Sequence, residues 1–415
     1  MRFFYGINRL QTSSLFPYIF GSAFLVIAEA LLLIGNNISS ENEMLFYSFS
    51  ELFYRLLGYV FCYFITLELT HKKHAFAAFW SVLCLAVINT AVSSFYDETT
   101  PYIIGIIVAV FCAYCFNRLD RVLSLSLTMI CAILFGVLIG FLIDYRDNFI
   151  MSLSHLISGK GFFSPVLFSV SDNILSLLGI DTLKDMIFYK SYGGSLVYSG
   201  EIVTGVKDLF SAGYNGELVW TYLSGHYFLL FALVGMAISL FFTLKGVQKY
   251  ILLVVTIGAV FSGNISILLL FFFLESPFLF FSILLIGVLA YLSAYILELG
   301  VGYILNGSII EMIMYIDKPV YLLAGGIVFI AIGYFVFKFS FEKYGISDTL
   351  NCYIPTRLSS FVKALGGVNN IIRYKDNALE VRNPKLIDTV SIECEISENL
   401  VKSKDKRLIE LKEYL

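Results

Sequence analysis

The side chains of this chain that could do chemistry are few, and most stand alone within apolar stretches. Cys112 and Cys115 form a C-x-x-C pair, but the pair lies inside an apolar run and no second pair accompanies it. Packing thiols explain such a pair better than a metal or redox centre does. His226 also lies in an apolar stretch, where a core histidine with satisfied nitrogens is the expected state. The sequence therefore predicts no bound metal and no cofactor.

Glu275 stands at the end of the apolar run 268–274. An ionisable residue at membrane depth is a functional candidate by default, because a charge is costly there. Two interpretations stay open for Glu275: a carboxylate that binds substrate, or a residue at the interfacial end of a helix. The second is favoured.

The elements that must position these residues are membrane spans. Hydrophobic residues make up 58% of the 415 residues, and charged residues only 14%. A soluble domain carries about a quarter charged residues, so the composition predicts an all-α polytopic membrane protein in contact with the lipid bilayer. The net charge of −3 argues against nucleic acid as a partner, because binding a phosphate backbone needs a clustered basic face.

Long apolar runs, most of them close to the ~20 residues that a span requires, occupy most of the chain. They cover 15–35, 52–70, 75–94, 101–117, 122–143, 218–242, 249–273, 278–305 and 319–338. Basic residues mark alternate loops among the first five runs, and Lys338 and Lys343 mark the end of the last one. Since basic loops stay in the cytoplasm, the N- and C-termini are predicted to be cytoplasmic. We expect about ten transmembrane helices.

The region 144–217 is less regular than the rest, and it mixes glycines and charges with moderate apolar stretches. Irregular polar backbone at membrane depth is tolerated where protein or a water-filled cavity surrounds it. Re-entrant hairpins in a transporter core would explain this composition. The alternative is a large periplasmic loop, which would favour an unrelated polytopic enzyme such as a polysaccharide polymerase.

Several short motifs follow one another in a fixed order. They are Gly200-Glu201-Ile202, Ala212-Gly213, Ser224-Gly225-His226-Tyr227-Phe228, Phe261-Ser262-Gly263 and, in the tail, Ala364 to Ile371 with the pattern A-L-G-G-x-x-N-I. The series resembles the glucose-type membrane component, enzyme IIC, of the bacterial phosphoenolpyruvate-dependent sugar phosphotransferase system, followed by the opening helix of the phosphoryl-carrying IIB domain. The resemblance covers residues 15–371, weakly before residue 200.

This resemblance implies a IIC-like transporter fold with re-entrant hairpins, in the bacterial plasma (inner) membrane. It also implies a homodimer, and a hexose or hexose derivative as the ligand. Three regions are expected: a membrane domain 1–343, a linker 344–354 and a truncated IIB-like cytoplasmic tail 355–415. Within the membrane domain, 15–143 would form the scaffold and 160–320 the substrate-binding part.

The chain departs from that family at the residues that do its chemistry. The register from Gly263 places Ser266 at the substrate-binding glutamate of the family, and Lys184 and Asp185 replace its paired histidines. Ser266 can accept a hydrogen bond but is a poor base. Lys184 and Asp185 could bind a sugar or form a solvated ion pair, and both interpretations stay open. The candidate substrate-binding residues are Lys184, Asp185, Glu201, Ser266 and Glu275.

The phosphoryl-carrying cysteine of the IIB domain is missing as well. Asn377 stands at its position, and Cys394 lies between Glu393 and Glu395, whose charges would raise the pKa of the thiol. No catalytic or phosphorylated residue is therefore expected, and the chain is not predicted to be an enzyme on its own.

Sugar binding or sugar permeation without self-phosphorylation is the predicted function. The alternative is a transport-dead membrane sensor or regulator that binds a cytoplasmic protein partner through its tail. The last stretch of that tail, 402–415, has leucines at helical spacing among charges and predicts an amphipathic helix.

Overall fold

The computed structural model describes most of the chain. The described residues are 16–37, 40–70, 75–94, 101–158, 161–190, 194–198, 200–243, 247–275, 277–315, 319–343, 356–366 and parts of 371–411. The predicted linker 344–354 lies outside them.

The first five predicted spans are helices. They are α1 (Phe16–Asn37), α2 (Ser40–Leu69), α3 (Ala75–Ser93), α4 (Tyr102–Arg118) and α5 (Arg121–Ile157). Helix α1 packs against α2, α2 against α4, and α3 against α5. Helix α5 continues beyond its predicted end at residue 143, and Arg146 pairs with Asp147 at 2.8 Å within the added turns. The irregular middle region therefore begins later in the chain than predicted.

The middle region consists of short elements. They are α6 (Ser164–Leu178), α7 (Thr182–Phe188), the antiparallel hairpin β1 (Ser195–Tyr198) and β2 (Glu201–Thr204), α8 (Val206–Ser211) and α9 (Glu217–Tyr222). Helix α6 has a proline in its first turn and ends at Gly179 with φ of 74°, the usual signals for a helix start and stop. The hairpin exposes Val197 and Ile202, and the sequence did not predict it.

The last predicted spans are more broken than their apolar runs suggest. The helices are α10 (Gly225–Thr243), α11 (Val247–Ser262), α12 (Ser266–Glu275), α13 (Pro277–Ile296), α14 (Ile309–Met314) and α15 (Pro319–Lys343). Helix α10 packs extensively against α15. A Cβ on Gly235 or Gly333 would overlap the backbone of the facing helix, so these glycines permit the close approach that is typical of helix pairs in membranes.

In the described part of the chain, seven helical segments are long and apolar enough to cross a membrane, and two further apolar helices are shorter. The chain is therefore a polytopic membrane protein. The prediction of about ten spans counted 249–273 and 278–305 as single runs. In the structure a turn at 263–265 divides the first run, and the helix of the second run ends at Ile296.

The tail has a small hydrophobic core of its own. Helices α16 (Thr356–Ala364) and α17 (Lys406–Leu411) accompany a four-stranded sheet of order β3-β4-β6-β5. The strands are β3 (Ile371–Lys375), β4 (Ala378–Val381), β5 (Cys394–Ser397) and β6 (Leu400–Ser403). Leu408 and Leu411 are buried, as an amphipathic helix requires, but the first part of the predicted helix belongs to β6.

Candidate functional site

Two interruptions in the helices of the second half lie against each other. A turn at 263–265 separates α11 from α12, and the non-helical segment 299–308 separates α13 from α14. Gly263 has φ of 68°, which favours glycine, and the side-chain oxygen of Asn264 accepts hydrogen bonds from the backbone N–H and the hydroxyl of Ser266 at 3.0 and 2.6 Å. The residues Gly263 and Asn264 thus end one helix and start the next.

The turn at Gly263 packs directly on the 299–308 segment. A Cβ on Gly263 would overlap the carbonyl oxygen of Asn306 and lie 2.7 Å from the backbone nitrogen of Ser308. Gly307, with φ of 78°, lies against the imidazole ring of His226 in α10. The turn at Gly263 and the 299–308 segment therefore pack backbone against backbone. A side chain at Gly263 or Gly307 would prevent this close approach.

Glu311 holds the 299–308 segment in its non-helical conformation. One carboxylate oxygen accepts from the backbone N–H groups of Ile304 and Leu305 at 3.0 and 2.8 Å, and the other from those of Asn306 and Gly307 at 3.0 and 2.7 Å. The carboxylate is buried. Four backbone donors that no helix satisfies are thereby paired, which is what buried backbone requires.

Asn306 joins this segment to the middle of two long helices, α1 and α2. Its side-chain amide donates to Glu29 Oε2 of α1 at 2.7 Å and to the hydroxyl of Tyr54 in α2 at 2.8 Å. Glu29 and Tyr54 stand near the midpoints of their helices. The non-helical 299–308 segment therefore lies beside the middle of α1 and of α2.

Two buried side-chain atoms at this segment have no hydrogen-bond partner among the described residues. They are Oε1 of Glu29 and Nε2 of His226, and the two side chains are 2% and 6% exposed. The ring of His226 packs on Gly307 and on the ring of Tyr303. His226 is buried, as predicted for a core histidine, but its Nε2 has no hydrogen-bond partner among the described residues.

Lys207 of α8 is the buried cation of this region. Its ammonium donates to the carbonyl of Leu305 and, at 3.2 Å, to the hydroxyl of Tyr189, and it lies 4.8–5.2 Å from the ring centres of Phe188, Tyr189 and Tyr303. A carbonyl and three aromatic faces can hold a cation without a paired carboxylate. Lys207 therefore ties α8 to the same segment.

Of the predicted substrate-binding residues, Lys184 lies in an internal ion pair. Its ammonium is 3.3 Å from a carboxylate oxygen of Asp172 in α6, and it donates to the hydroxyl of Ser176 at 3.2 Å. Asp172 is 8% exposed. Asp185, one residue further along α7, has an exposed side chain. The two residues thus face different surroundings, and Lys184 binds α7 to α6.

Ser266 is buried at the start of α12, beside the contact between the two interruptions. Its hydroxyl is engaged by Asn264, as described above. Glu201 lies in the exposed hairpin, where its backbone pairs with Tyr198. Glu275 is the last residue of α12, and the side chains of Glu201 and Glu275 lie outside the described part of the structure. The structure thus places Ser266 beside the segment that Glu311 holds.

Asn377, predicted to stand at the position of the phosphoryl-carrying cysteine, lies outside the described residues. Cys394 lies in β5, and burial raises the pKa of its thiol. Cys112 and Cys115 are buried free thiols that form no disulfide with a described residue. Cys112 lines an apolar cavity of about 400 Å³ between α3, α4 and α5.

Sequence reasoning missed Glu29, Lys207, Asn306 and Glu311 as site residues. Glu29 carries a signal that could have found it, because it is a charge in the middle of the apolar run 15–35. Glu311 carries another, because Ser308 and Glu311 have the S-x-x-E spacing of a capping box and the Ser308 hydroxyl does accept from the Glu311 N–H at 3.3 Å. Asn306 and Lys207 are brought to the site by tertiary structure alone.

These observations define a polytopic membrane protein with paired helix breaks that meet at a buried polar site. Comparison with protein families and with curated proteins finds no match to this chain.

Proposed function

We propose that the chain is a IIC-like sugar permease or sugar-binding membrane protein that does not phosphorylate its ligand. The ligand would be a hexose or hexose derivative, bound where the turn at Gly263 meets the 299–308 segment. The sequence resemblance to enzyme IIC suggests the class of ligand. The absence of a cysteine at the position of Asn377 argues against self-phosphorylation.

One observation carries this proposal: non-helical backbone lies against the middle of α1, which is long and apolar enough to cross a membrane, and against the middle of the neighbouring helix α2. Asn306 bonds to Glu29 and Tyr54 near the middle of α1 and α2. Such backbone at membrane depth is tolerated where protein buries it or where it lines a cavity, and broken helices at the midplane are where transporters bind substrate. A protein that is only anchored in the membrane does not need non-helical backbone beside the middle of its helices.

Thermal unfolding of the purified protein in detergent tests for the ligand. A panel of hexoses, amino sugars and disaccharides would be added, with mannitol as a control for the general stabilisation that polyols give. A ligand at a hundred times its Kd stabilises by about 2.7 kcal/mol, so a binding sugar raises the melting temperature above that in mannitol. The proposal fails if every sugar behaves like mannitol.

Uptake separates a permease from a binding protein that does not transport. Proteoliposomes that contain the chain would be loaded with buffer and exposed to the radiolabelled sugar that the panel selects. Accumulation to the outside concentration, faster than in protein-free liposomes, supports permeation. Sugar binding without uptake supports the alternative function, a membrane sensor that does not transport the sugar.

Two features favour a second candidate function, a membrane sensor or regulator. Two predicted substrate residues are bonded inside the protein, Lys184 to Asp172 and Ser266 to Asn264. The tail keeps a core of its own although the cysteine position is lost, as an interaction module would. A tail partner would be sought by cross-linking in cells that express the full chain, with and without the sugar that binds. A sensor predicts that the sugar changes the cross-linked products.

A further inference from the structure

The apolar cavity between α3, α4 and α5 is a feature that the proposed function does not use. Its volume is about 400 Å³. Small side chains form much of its buried floor, and these are Cys84 of α3, Cys112 of α4, and Thr128 and Ala132 of α5. One turn beyond Ala132 the helices α5 and α3 touch closely, since a Cβ on Gly136 would lie 3.1 Å from Cα of Ile88. The cavity therefore arises from the size of the side chains on its floor, not from a separation of α5 and α3.

The polar side chain in the cavity wall already has its hydrogen-bond partners. The hydroxyl of Thr128 donates to the carbonyl of Ser124 at 2.7 Å and accepts from the indole N–H of Trp80 at 3.0 Å. The other residues that line the cavity are aliphatic, aromatic or cysteine. A buried water needs about two to four polar partners, and apolar cavities stay dry. The cavity therefore suits a hydrocarbon ligand.

The cavity is bordered by exposed apolar side chains on one side. Ile107 and Phe111 of α4 and Leu134 and Leu138 of α5 line the cavity and are exposed on the surface. Helices α3 and α5 are long and apolar enough to cross a membrane, and α4 is a shorter apolar helix. This border therefore lies on a surface that faces the bilayer, and hydrocarbon can enter the cavity between α4 and α5.

The dimensions of the cavity fit a lipid tail. Its lining residues on α5 run from Thr128 to Leu138, which is a rise of about 15 Å along the helix. The tails of one leaflet reach about as far, because the hydrocarbon core of a bilayer is about 30 Å thick. A cavity of about 150 Å³ holds a benzene molecule, so the volume of about 400 Å³ has room for roughly a dozen carbon atoms or more.

We propose that this cavity binds one acyl chain of a membrane phospholipid, which enters between α4 and α5 and packs on Cys84 and Cys112. Lipid tails are as apolar as leucine, so the stabilisation comes from dispersion contacts with the cavity floor and not from leaving water. The inference does not depend on the proposed function, because α3, α4 and α5 do not contribute to the contact between the turn at Gly263 and the 299–308 segment.

Fluorescence quenching by a brominated lipid tests the proposal on the full-length protein in detergent. Trp80 is the reporter, because its indole bonds to Thr128 in the cavity wall, and Trp220→Phe removes the only other tryptophan. The probe is a phosphatidylcholine with a dibrominated stearoyl chain, and bromine quenches tryptophan at contact distances. The lipid is added as a small fraction of the detergent, so that detergent covers the remaining apolar surface.

In the Trp220→Phe protein, quenching of Trp80 should saturate as the lipid is added, and an excess of the unbrominated lipid should reverse it. Ala132→Phe fills the cavity floor and should abolish the saturable quenching. Ile133→Phe is the matched control, because Ile133 is the neighbouring residue, is exposed and does not line the cavity; quenching should persist in it. Cys131→Phe, at another lining residue, serves if Ala132→Phe does not fold.

Three results would overturn the proposal. Quenching that rises in proportion to the lipid and is not reversed by the unbrominated lipid would show that Trp80 meets only bulk lipid. Equal saturable quenching with and without the cavity-filling substitution would place the lipid elsewhere. If no lipid quenches Trp80 and Ala132→Phe converts an oligomer to a monomer in sedimentation, a second copy of the protein fills the cavity. Sugar binding in the thermal panel is independent of all three results, so either proposal can fail without the other.

Discussion

Replacing Glu311 by glutamine should open the 299–308 segment. The carboxylate pairs four backbone N–H groups, two on each oxygen. A glutamine offers one oxygen for two of them and turns an amide NH₂ toward the other two, donor against donor. Two buried N–H groups without a partner cost about 1–3 kcal/mol each, so the substitution should destabilise the segment by about 2–6 kcal/mol.

Hydrogen–deuterium exchange followed by mass spectrometry measures this effect directly. Protection of the amides of residues 304–307 depends on the free energy of local opening. A loss of 2 kcal/mol or more corresponds to roughly 30-fold faster exchange. Glu217→Gln is the control, because the Glu217 side chain is exposed and its carboxylate accepts from the Tyr295 hydroxyl at 3.2 Å, not from backbone N–H groups of the 299–308 segment. Equal exchange of these amides in Glu311→Gln and wild type would refute the role assigned to Glu311.

Three further predictions concern the turn and the tail. Gly263→Ala should lower the melting temperature more than Gly161→Ala does. Both glycines have positive φ, but of the two only Gly263 packs against the backbone of another segment. Equal decreases of the melting temperature in the two variants would contradict the contact between Gly263 and the 299–308 segment. Iodoacetamide should modify Cys394 slowly at neutral pH and faster as pH rises through the range above about 8.5, because burial raises the pKa of the thiol; rapid labelling at neutral pH, read by mass spectrometry, would exclude this. The hydrogen bonds from Arg407 hold the pKa of Asp405 below its usual range. The contact between Arg407 and Asp405 therefore stabilises the tail at neutral pH and is lost as pH falls through the lowered pKa of Asp405. We expect Asp405→Asn to speed tryptic cleavage of the tail at pH 7. Identical cleavage rates of the variant and the wild type at pH 7 would contradict this prediction.

The spans were the most predictable part of the fold, because twenty apolar residues have few alternatives to a membrane helix. The breaks within the runs 249–273 and 278–305 were not predicted. Gly263-Asn264 is a short signal inside an apolar run, and the 299–308 segment depends on the Glu311 carboxylate, which lies beyond the run. Local composition could not show that these two places would meet.

The candidate site was predictable only in fragments. The rule that marked Glu275 as a functional candidate applies equally to Glu29, which stands in the middle of an apolar run rather than at its end. Lys184 carries a charge at a position suggested by resemblance, yet its partner Asp172 is fixed by the packing of α7 on α6. Whether a polar residue pairs inside the protein or faces a ligand is a tertiary property, and neither spacing nor composition contains it.

The tail illustrates the same limit. Its final helix follows in part from the leucine spacing, and Leu408 and Leu411 are buried. The opening helix, expected from the resemblance to run on to Ile371, ends at Ala364, and Ile371 begins β3. The hairpin of β5 and β6 was not predicted, because Cys394–Ser397 and Leu400–Ser403 contain charged and polar residues at the positions where a strand signal would be read.

The structure of the purified protein with the sugar that the thermal panel selects tests the central claim most directly. The account predicts density for the sugar where the turn at Gly263 meets the 299–308 segment. Sugar density at any other place, for example beside Lys184 and Asp172, would contradict the account.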